Sequence, residues 1–369
     1  MASETELEVA IAAMMAQAGF AGAHRVPLAQ DASTRSYERL QLGDARAILM
    51  KAPPGNEGDN PPCPPDADEA TRKALGWNAL SRLAASRVEA FVAIGDFLRT
   101  NGFSAPRVLS VDAQAGVAVL EDLGQALYAD VIASGDAPDV PLYQAAGETL
   151  AALHALPVPG NLPAPIGDWP ILDFDAIALR ENANLFIDWT PAFLGRPALS
   201  PQALADWAAI REDLIADILT HTRAFTLRDY HAENILWLPE RSGIARVGLL
   251  DFQDGVHGYA AWDFAMLLHD ARRDVSPQAH QAAVRAYLDQ TGASDATFAH
   301  ELAVQGAVNA LRILGIFARL ITRDGKARYR DFVPREANHL AVLLEHPRLK
   351  DLKRWIDRHA PLPAFMERN

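Results

Sequence analysis

The chain has 369 residues, half of them hydrophobic, with 47 acidic against 34 basic side chains and a formal charge of −13. That length exceeds one ordinary core and predicts two domains or lobes. The acidic balance argues against non-specific nucleic-acid binding but leaves room for an anionic ligand held by a few local Arg or Lys. A single cysteine, Cys63, excludes an internal disulfide and points to a reducing compartment. No apolar run approaches the ~20 residues of a membrane span, and the start of the chain lacks the basic flank of a secretory signal. A cytoplasmic protein, off the membrane and without an obligate protein partner, is the expectation.

The first residues read as an amphipathic helix. Ser3 and Glu6 form a capping box, Leu7, Ile11, Met14, Met15 and Ala18 supply the apolar positions, and Gly19 is the stop. Short strands are expected at 26–28 and 37–42, flanking the polar segment Asp31-Ala32-Ser33-Thr34-Arg35-Ser36. The turn Gly43-Asp44 leads to a third strand at 47–51. Residues 52–66 carry six prolines and predict an irregular surface loop. A helix is expected at 87–100, capped by Ser86 and stopped by Gly102, then a hairpin of 107–111 and 117–120. The order β-β-β-α-β-β is a small antiparallel sheet with one helix, closed by Glu121-Asp122-Leu123-Gly124. Beyond 125 the pattern turns helical, near 143–156, 173–188, 201–220, 262–272, 277–291, 298–321 and 334–345. Strands are expected there only at 225–227, 235–238 and 247–250. No internal repeat is visible. The reading is an α+β fold of two lobes, 1–123 and 124–369.

The chemistry concentrates in one stretch. Arg228-Asp229 is followed five residues later by Asn234, and an Asp251-Phe252 pair ends the next apolar strand but one. Phosphoryl transfer requires mainly positioning and charge neutralisation. Asp229 can orient or accept the proton of an attacking hydroxyl. Asn234 and Asp251 offer the hard oxygens that magnesium prefers. An isolated Asp of this kind would read as a turn cap; the spacing of the three favours catalysis.

The words LRDYHAENILW and GLLDFQD resemble the catalytic and metal-binding motifs of the aminoglycoside phosphotransferase superfamily, cousins of protein kinases. With Tyr259, AWDFAMLLHDARRDV and the early DASTRSYERL, the chain is most similar to the N-acetylmuramate/N-acetylglucosamine anomeric kinases of bacterial cell-wall recycling. The likeness runs from about residue 5 to about residue 350. It implies a bilobal kinase-like fold, ATP and Mg2+ as cofactors, Asp229 as base, and Asn234 and Asp251 as metal ligands. Leu227 stands where most kinases have a His before Arg-Asp, and Gln253 where they have a Gly after Asp-Phe. The second departure removes the backbone freedom that a swinging Asp-Phe segment needs.

The resemblance also places ATP contacts in the small lobe. Ser33, Thr34 and Arg35 lie in the phosphate-covering loop, which has no glycine. Lys51 matches the lysine that pairs the α- and β-phosphates, with Glu89 on the following helix as its candidate acid. The stretch 119–123, with Glu121 and Leu123, matches the hinge whose backbone binds adenine. For the acceptor, residues 179–189 resemble the family's insertion: Glu181, Asn184 and Trp189 supply polar groups and an aromatic face, and Arg180 and Arg312 are candidates for a muramyl carboxylate. Each also fits an ordinary amphipathic helix. His154 reads as a core or capping histidine and His231 as a loop-shaping one. Arg228 is expected to pair with an acid such as Asp263, and Arg272-Arg273 to be a solvated cluster at a helix end. No His/Cys spacing suggests zinc.

The implied reaction is transfer of the ATP γ-phosphoryl group to the anomeric hydroxyl of an amino sugar. Two alternatives stay open: the same chemistry on an aminoglycoside, choline or amino-alcohol, and a catalytically silent nucleotide-binding protein.

Overall fold

The computed structural model describes residues 4–28, 35–52, 63–84 and 87–366. Ser3, Ser33, Thr34, Ser86 and most of the proline-rich stretch lie outside the described residues. Internal contacts divide the chain into two units. One comprises Met1–Ala137, Val158–Leu172 and Glu233–Val256, the other Pro138–Pro157, Asp173–Ala232 and His257–Asn369. After residue 137 the chain returns twice to the first unit.

In the first unit, β1 (His24–Pro27), β2 (Ser36–Leu42), β3 (Ala45–Lys51), β4 (Val108–Asp112) and β5 (Val117–Glu121) form an antiparallel sheet of order β1-β2-β3-β5-β4. Strand alternation sorts its side chains by face. Leu40, Ala47, Leu49, Val117 and Val119 pack under the helix Glu4–Gln17, whose Ile11 and Met15 are buried against them. Leu7, Met14 and Ala18 complete that contact, as the apolar spacing predicts. Gly19, at φ 82°, ends the helix, and the Phe20 N–H turns back to the Met15 carbonyl at 2.7 Å. The opposite face carries Tyr37, Met50 and Ala118, which are in register across three strands.

Elsewhere in this unit the sequence reading missed two short helices, Glu69–Leu75 and Trp77–Leu80, and a hairpin of Asn161–Pro163 with Asp168–Pro170. A three-residue strand bounded by proline shows no measurable period, because only Leu162 and Trp169 are buried in it. A further hairpin, Ile235–Trp237 with Val247–Leu249, is the one expected. The helix Val88–Thr100 is also present, and its Phe91 stacks on Phe252 with ring centroids 4.8 Å apart.

The second unit is built on the 28-residue helix Asp295–Thr322. Its length and hydropathy would suit a membrane span, but 83% of its most apolar window is buried within the protein. Strand Arg223–Thr226 pairs with Val256–Tyr259, a strand absent from the sequence reading. Ser-Pro signals start two helices: Ser200 and Ser276 each accept the N–H three residues on, with Pro201 and Pro277 in the first turn.

Helix crossings depend on two glycines. A Cβ on Gly147 would lie 2.2 Å from the Ala283 carbonyl oxygen, and one on Gly315 would lie 2.3 Å from the Leu185 carbonyl carbon. Both obstacles are backbone, so neither can swing aside. Gly315→Ala is therefore expected to lower stability by about 1–3 kcal/mol through overpacking, measured by urea unfolding. An unchanged midpoint would show that the helices separate freely here.

Candidate active site

Strand Arg223–Thr226 delivers the chain into Leu227-Arg228-Asp229. Both backbone N–H groups before Asp229 end on one carboxylate. Leu227 donates to Asp263 Oδ2 and Arg228 to Asp263 Oδ1, each at 2.8 Å. Asp263 is fully buried, with His154 Nε2 3.7 Å away. The sequence reading had Arg228 pair with Asp263, and it does so through its main chain. The guanidinium lies 4.7 Å over the Phe174 ring. Arg228 has φ 76°, a strained value for a residue with a side chain.

Asp229 thus leaves a fixed turn with its side chain 24% exposed. Arg312 Nη2, from the long helix, is 3.6 Å from its Oδ1. That guanidinium is itself oriented by Asn309, whose Oδ1 accepts from Nη1 at 2.9 Å. Burial pushes the Asp229 carboxyl up. The charges of Arg312, His231, Arg228 and Arg272 outweigh it and hold the group below the usual aspartate range. Arg272, expected to be merely solvated, is half-buried and contributes to this field.

In the first unit the hairpin Ile235–Trp237/Val247–Leu249 places Asn234 and Asp251 at one end. The Leu250 N–H donates to the Asn234 carbonyl at 2.9 Å, closing that end. Asp251, at φ 52°, has a side chain 39% exposed. Its Oδ1 accepts from Arg35 Nη2 at 2.9 Å and from Gln253 Nε2 at 3.0 Å. An amide oxygen and a partly exposed carboxylate are a fitting donor set for magnesium. Phe252 is buried on Phe91, close to Gly95, and the Ala84 N–H donates to Asp254. The Asp-Phe segment is held on both flanks, in keeping with the loss of glycine at 253.

The other ATP candidates separate. Arg35 is buried beside Asp251. Tyr37, on the same strand, has its phenol pushed up by burial, with Asp251 adding to the effect and Arg35 opposing it. Lys51 lies on the opposite face, the one covered by the N-terminal helix. Its acidic partner is Glu38 on the adjacent strand, not Glu89. The register explains this: Ser36 pairs with Lys51 and Glu38 with Leu49, so Glu38 and Lys51 are diagonal neighbours on one face. Glu89 instead meets Arg87 at 3.2 Å. Glu121 is tied through its side chain to the Arg107 N–H and to Arg241. Leu123 is half-buried before Gly124, whose N–H donates to Asp122. Ser33 and Thr34 lie outside the described residues.

Among the acceptor candidates, only Arg312 stands beside Asp229. Arg180 is in a two-pronged pair with Glu212, at 2.8 and 3.0 Å. Asn184, one turn on, accepts from Trp207 Nε1 and Arg211. Both therefore face the helix Pro201–Ile218. Glu181 is half-buried, and Trp189 lies under Arg323 at 5.7 Å.

Residues 24–300 match the family model described as "Phosphotransferase enzyme family", and the chain belongs to that family of phosphotransferases. It is 49% identical over 98% of its length, and 99% of the relative's, to the N-acetylmuramate/N-acetylglucosamine kinase of Caulobacter vibrioides. The enzyme of the same name from Pseudomonas aeruginosa is 31% identical, over 89% of this chain and 87% of its own. Among solved structures, a choline/ethanolamine kinase family protein from Mesorhizobium loti superposes with TM-score 0.57 over 98% of each chain at 16% identity, a likeness of fold.

Removing the Arg312 cation has a signed consequence. Arg312 lowers the Asp229 pKa, so Arg312→Met should raise it. Where Asp229 acts in its ionised form, the acidic limb of kcat/KM should then move to higher pH. A pH–rate profile of the two proteins checks this, and an unmoved limb would remove Arg312 from the electrostatics of Asp229.

Proposed function

We propose that this chain transfers the γ-phosphoryl group of ATP to the anomeric hydroxyl of N-acetylmuramate or N-acetylglucosamine, giving the sugar 1-phosphate for peptidoglycan recycling in the cytoplasm. The 49% identity along nearly the whole chain supports the acceptor class. The observation that carries the choice against cationic acceptors is the field at Asp229, where Arg312, Arg228, Arg272 and His231 all act on one carboxylate. An aminoglycoside, choline or an amino-alcohol would meet repulsion there. An amino sugar with a carboxylate would meet attraction.

In this reading Asp229 accepts the anomeric proton as the sugar oxygen bonds to the γ-phosphorus. The bond from that phosphorus to the bridging oxygen breaks and ADP leaves. An anomeric hydroxyl is more acidic than an ordinary alcohol, so a base held at low pKa is adequate. Asn234 and Asp251 would hold magnesium, which when bound neutralises phosphate charge. Arg35 stands ready for the phosphates through its contact with Asp251, and the backbone at 121–123 would take adenine. Residues 1–123 and 124–369 would serve as the nucleotide-covering and acceptor-binding lobes.

Asp229→Asn should retain nucleotide affinity and lose at least ~10²-fold in kcat, measured by coupled ADP release with nucleotide binding as control. An unchanged rate would take the base role from Asp229. The same assay run over N-acetylmuramate, N-acetylglucosamine, kanamycin and choline tests the acceptor. Turnover confined to a cationic acceptor would sink the amino-sugar reading, and nucleotide binding without turnover on any acceptor would favour the silent alternative.

A further inference from the structure

A cluster of metal-ligating side chains lies in the second unit, at the end of helix Pro201–Ile218 and outside every role described above. Asp217 Oδ1 is 3.1 Å from His221 Nε2 and 3.1 Å from His300 Nε2. The three come from the end of one helix, the turn that follows it and the second turn of helix Asp295–Thr322, so no sequence spacing announces all three. Tetrahedral zinc with bonds of ~2.0–2.1 Å to nitrogen and oxygen sets its ligand atoms about 3.3 Å apart. The two measured separations already approach that value, and all three ligand atoms lie within 4.8 Å of one another.

We propose that Asp217, His221 and His300 form a binding site for one divalent transition ion of the zinc class, with water in the fourth position. The surroundings are built for it. Arg348 Nε holds the other carboxylate oxygen, Oδ2, at 2.6 Å, so Asp217 presents Oδ1 alone, as a monodentate ligand would. That Arg348 charge is shared with Asp213, 2.7 Å from Nη1, which softens its repulsion of an ion. His300 is 35% exposed on its side chain and gives an entry path, whereas His221 is buried. His346 lies beside His300, with ring centroids 5.6 Å apart, but its Nδ1 accepts from the Arg348 N–H. Its proton then sits on Nε2, and a water rather than this ring completes the set.

The independent observation is Gln305. Its side chain is fully buried, its Nε2 lies 3.0 Å from His221 Nδ1, and its Oε1 has no hydrogen-bond partner. Turning the amide would set Oε1 against Nδ1 and place the imidazole proton there. The Nε2 lone pair would then face the Asp217 oxygen, an arrangement that a cation between them stabilises. A buried acceptor on the far nitrogen is how proteins fix the tautomer of a metal-binding histidine. The ion would fasten the helix end, the turn before strand Arg223–Thr226 and the helix carrying Arg312 to one point, and it does not depend on the identity of the acceptor.

The test uses the full chain, stripped with a chelator and titrated with Zn2+ or Co2+ in excess Mg2+ to occupy any site at Asn234 and Asp251. Expected are one tightly retained ion per chain by elemental analysis, a raised Tm, and the visible spectrum of four-coordinate Co2+. His300→Ala, the most exposed of the ligands, should fold as judged by circular dichroism and bind at least ~10-fold more weakly. Asp217→Asn should do the same, while His24→Ala, on exposed β1, should bind as the parent does. Substoichiometric binding by the parent would overturn the site. So would affinity unchanged in both ligand variants, or lost instead in Asp251→Asn.

Discussion

The turn that carries Asp229 would not hold its shape unaided. Arg228 sits at φ 76° with its side chain buried, a combination that costs of order 1–3 kcal/mol of backbone strain. What keeps it there is the Asp263 carboxylate, which takes the N–H groups of Leu227 and Arg228 on its two oxygens. Hydrogen bonds to an ionised acceptor are roughly twice as strong as neutral ones. Asp263 also lies in the first turn of helix Ala260–Leu268, where the helix dipole favours a negative charge. The direction of Asp229, and hence the approach of Arg312, follows from this anchor. The His that most kinases carry before Arg-Asp is absent here, and the bulk of Leu227 is buried instead.

Each unit sets an acid against a guanidinium drawn from a distant part of its own chain. Asp229 has Arg312 at 3.6 Å, a separation that biases the charge without a direct hydrogen bond. Asp251 has Arg35 at 2.9 Å, a direct one. The difference suits the proposed roles. A proton acceptor should keep its oxygens accessible to substrate, while a metal ligand benefits from a counter-charge until the ion arrives. The Arg25–Glu38–Lys51 chain on the far face of the sheet, with Glu8 beyond it, is of another kind. It fastens the N-terminal helix to the strands, and the charge of Lys51 is absorbed there.

How much of this could be read from the sequence depended on range. Asp229, Asn234 and Asp251 could be grouped as candidates because one turn and one hairpin join them, and hairpin register follows from local pattern. The long helices were legible for the same reason, with apolar periodicity and Ser-Pro starts marking them. Arg312 was named only as a possible carboxylate ligand, and its place beside Asp229 is a contact across 83 residues that no local pattern announces. Glu38 escaped notice because Lys51 was matched to a helix acid by analogy, whereas strand register puts Glu38 beside it. Arg180 and Asn184 have the right chemistry for a sugar, yet helical spacing turns both toward a neighbouring helix. The hairpin at 161–170 and the strand at 256–259 are too short for a period to declare itself.

Phe252 has a consequence for ligands as well as for stability. In protein kinases the packing of this phenylalanine separates active from inactive forms, and a displaced ring leaves a hole that a small molecule can fill. Here the ring is buried on Phe91, Gly95 approaches it so closely that an added Cβ would stand 3.3 Å away, and the residue after it is a buried glutamine instead of a glycine. Compounds that work by capturing the displaced ring would have no vacancy to enter.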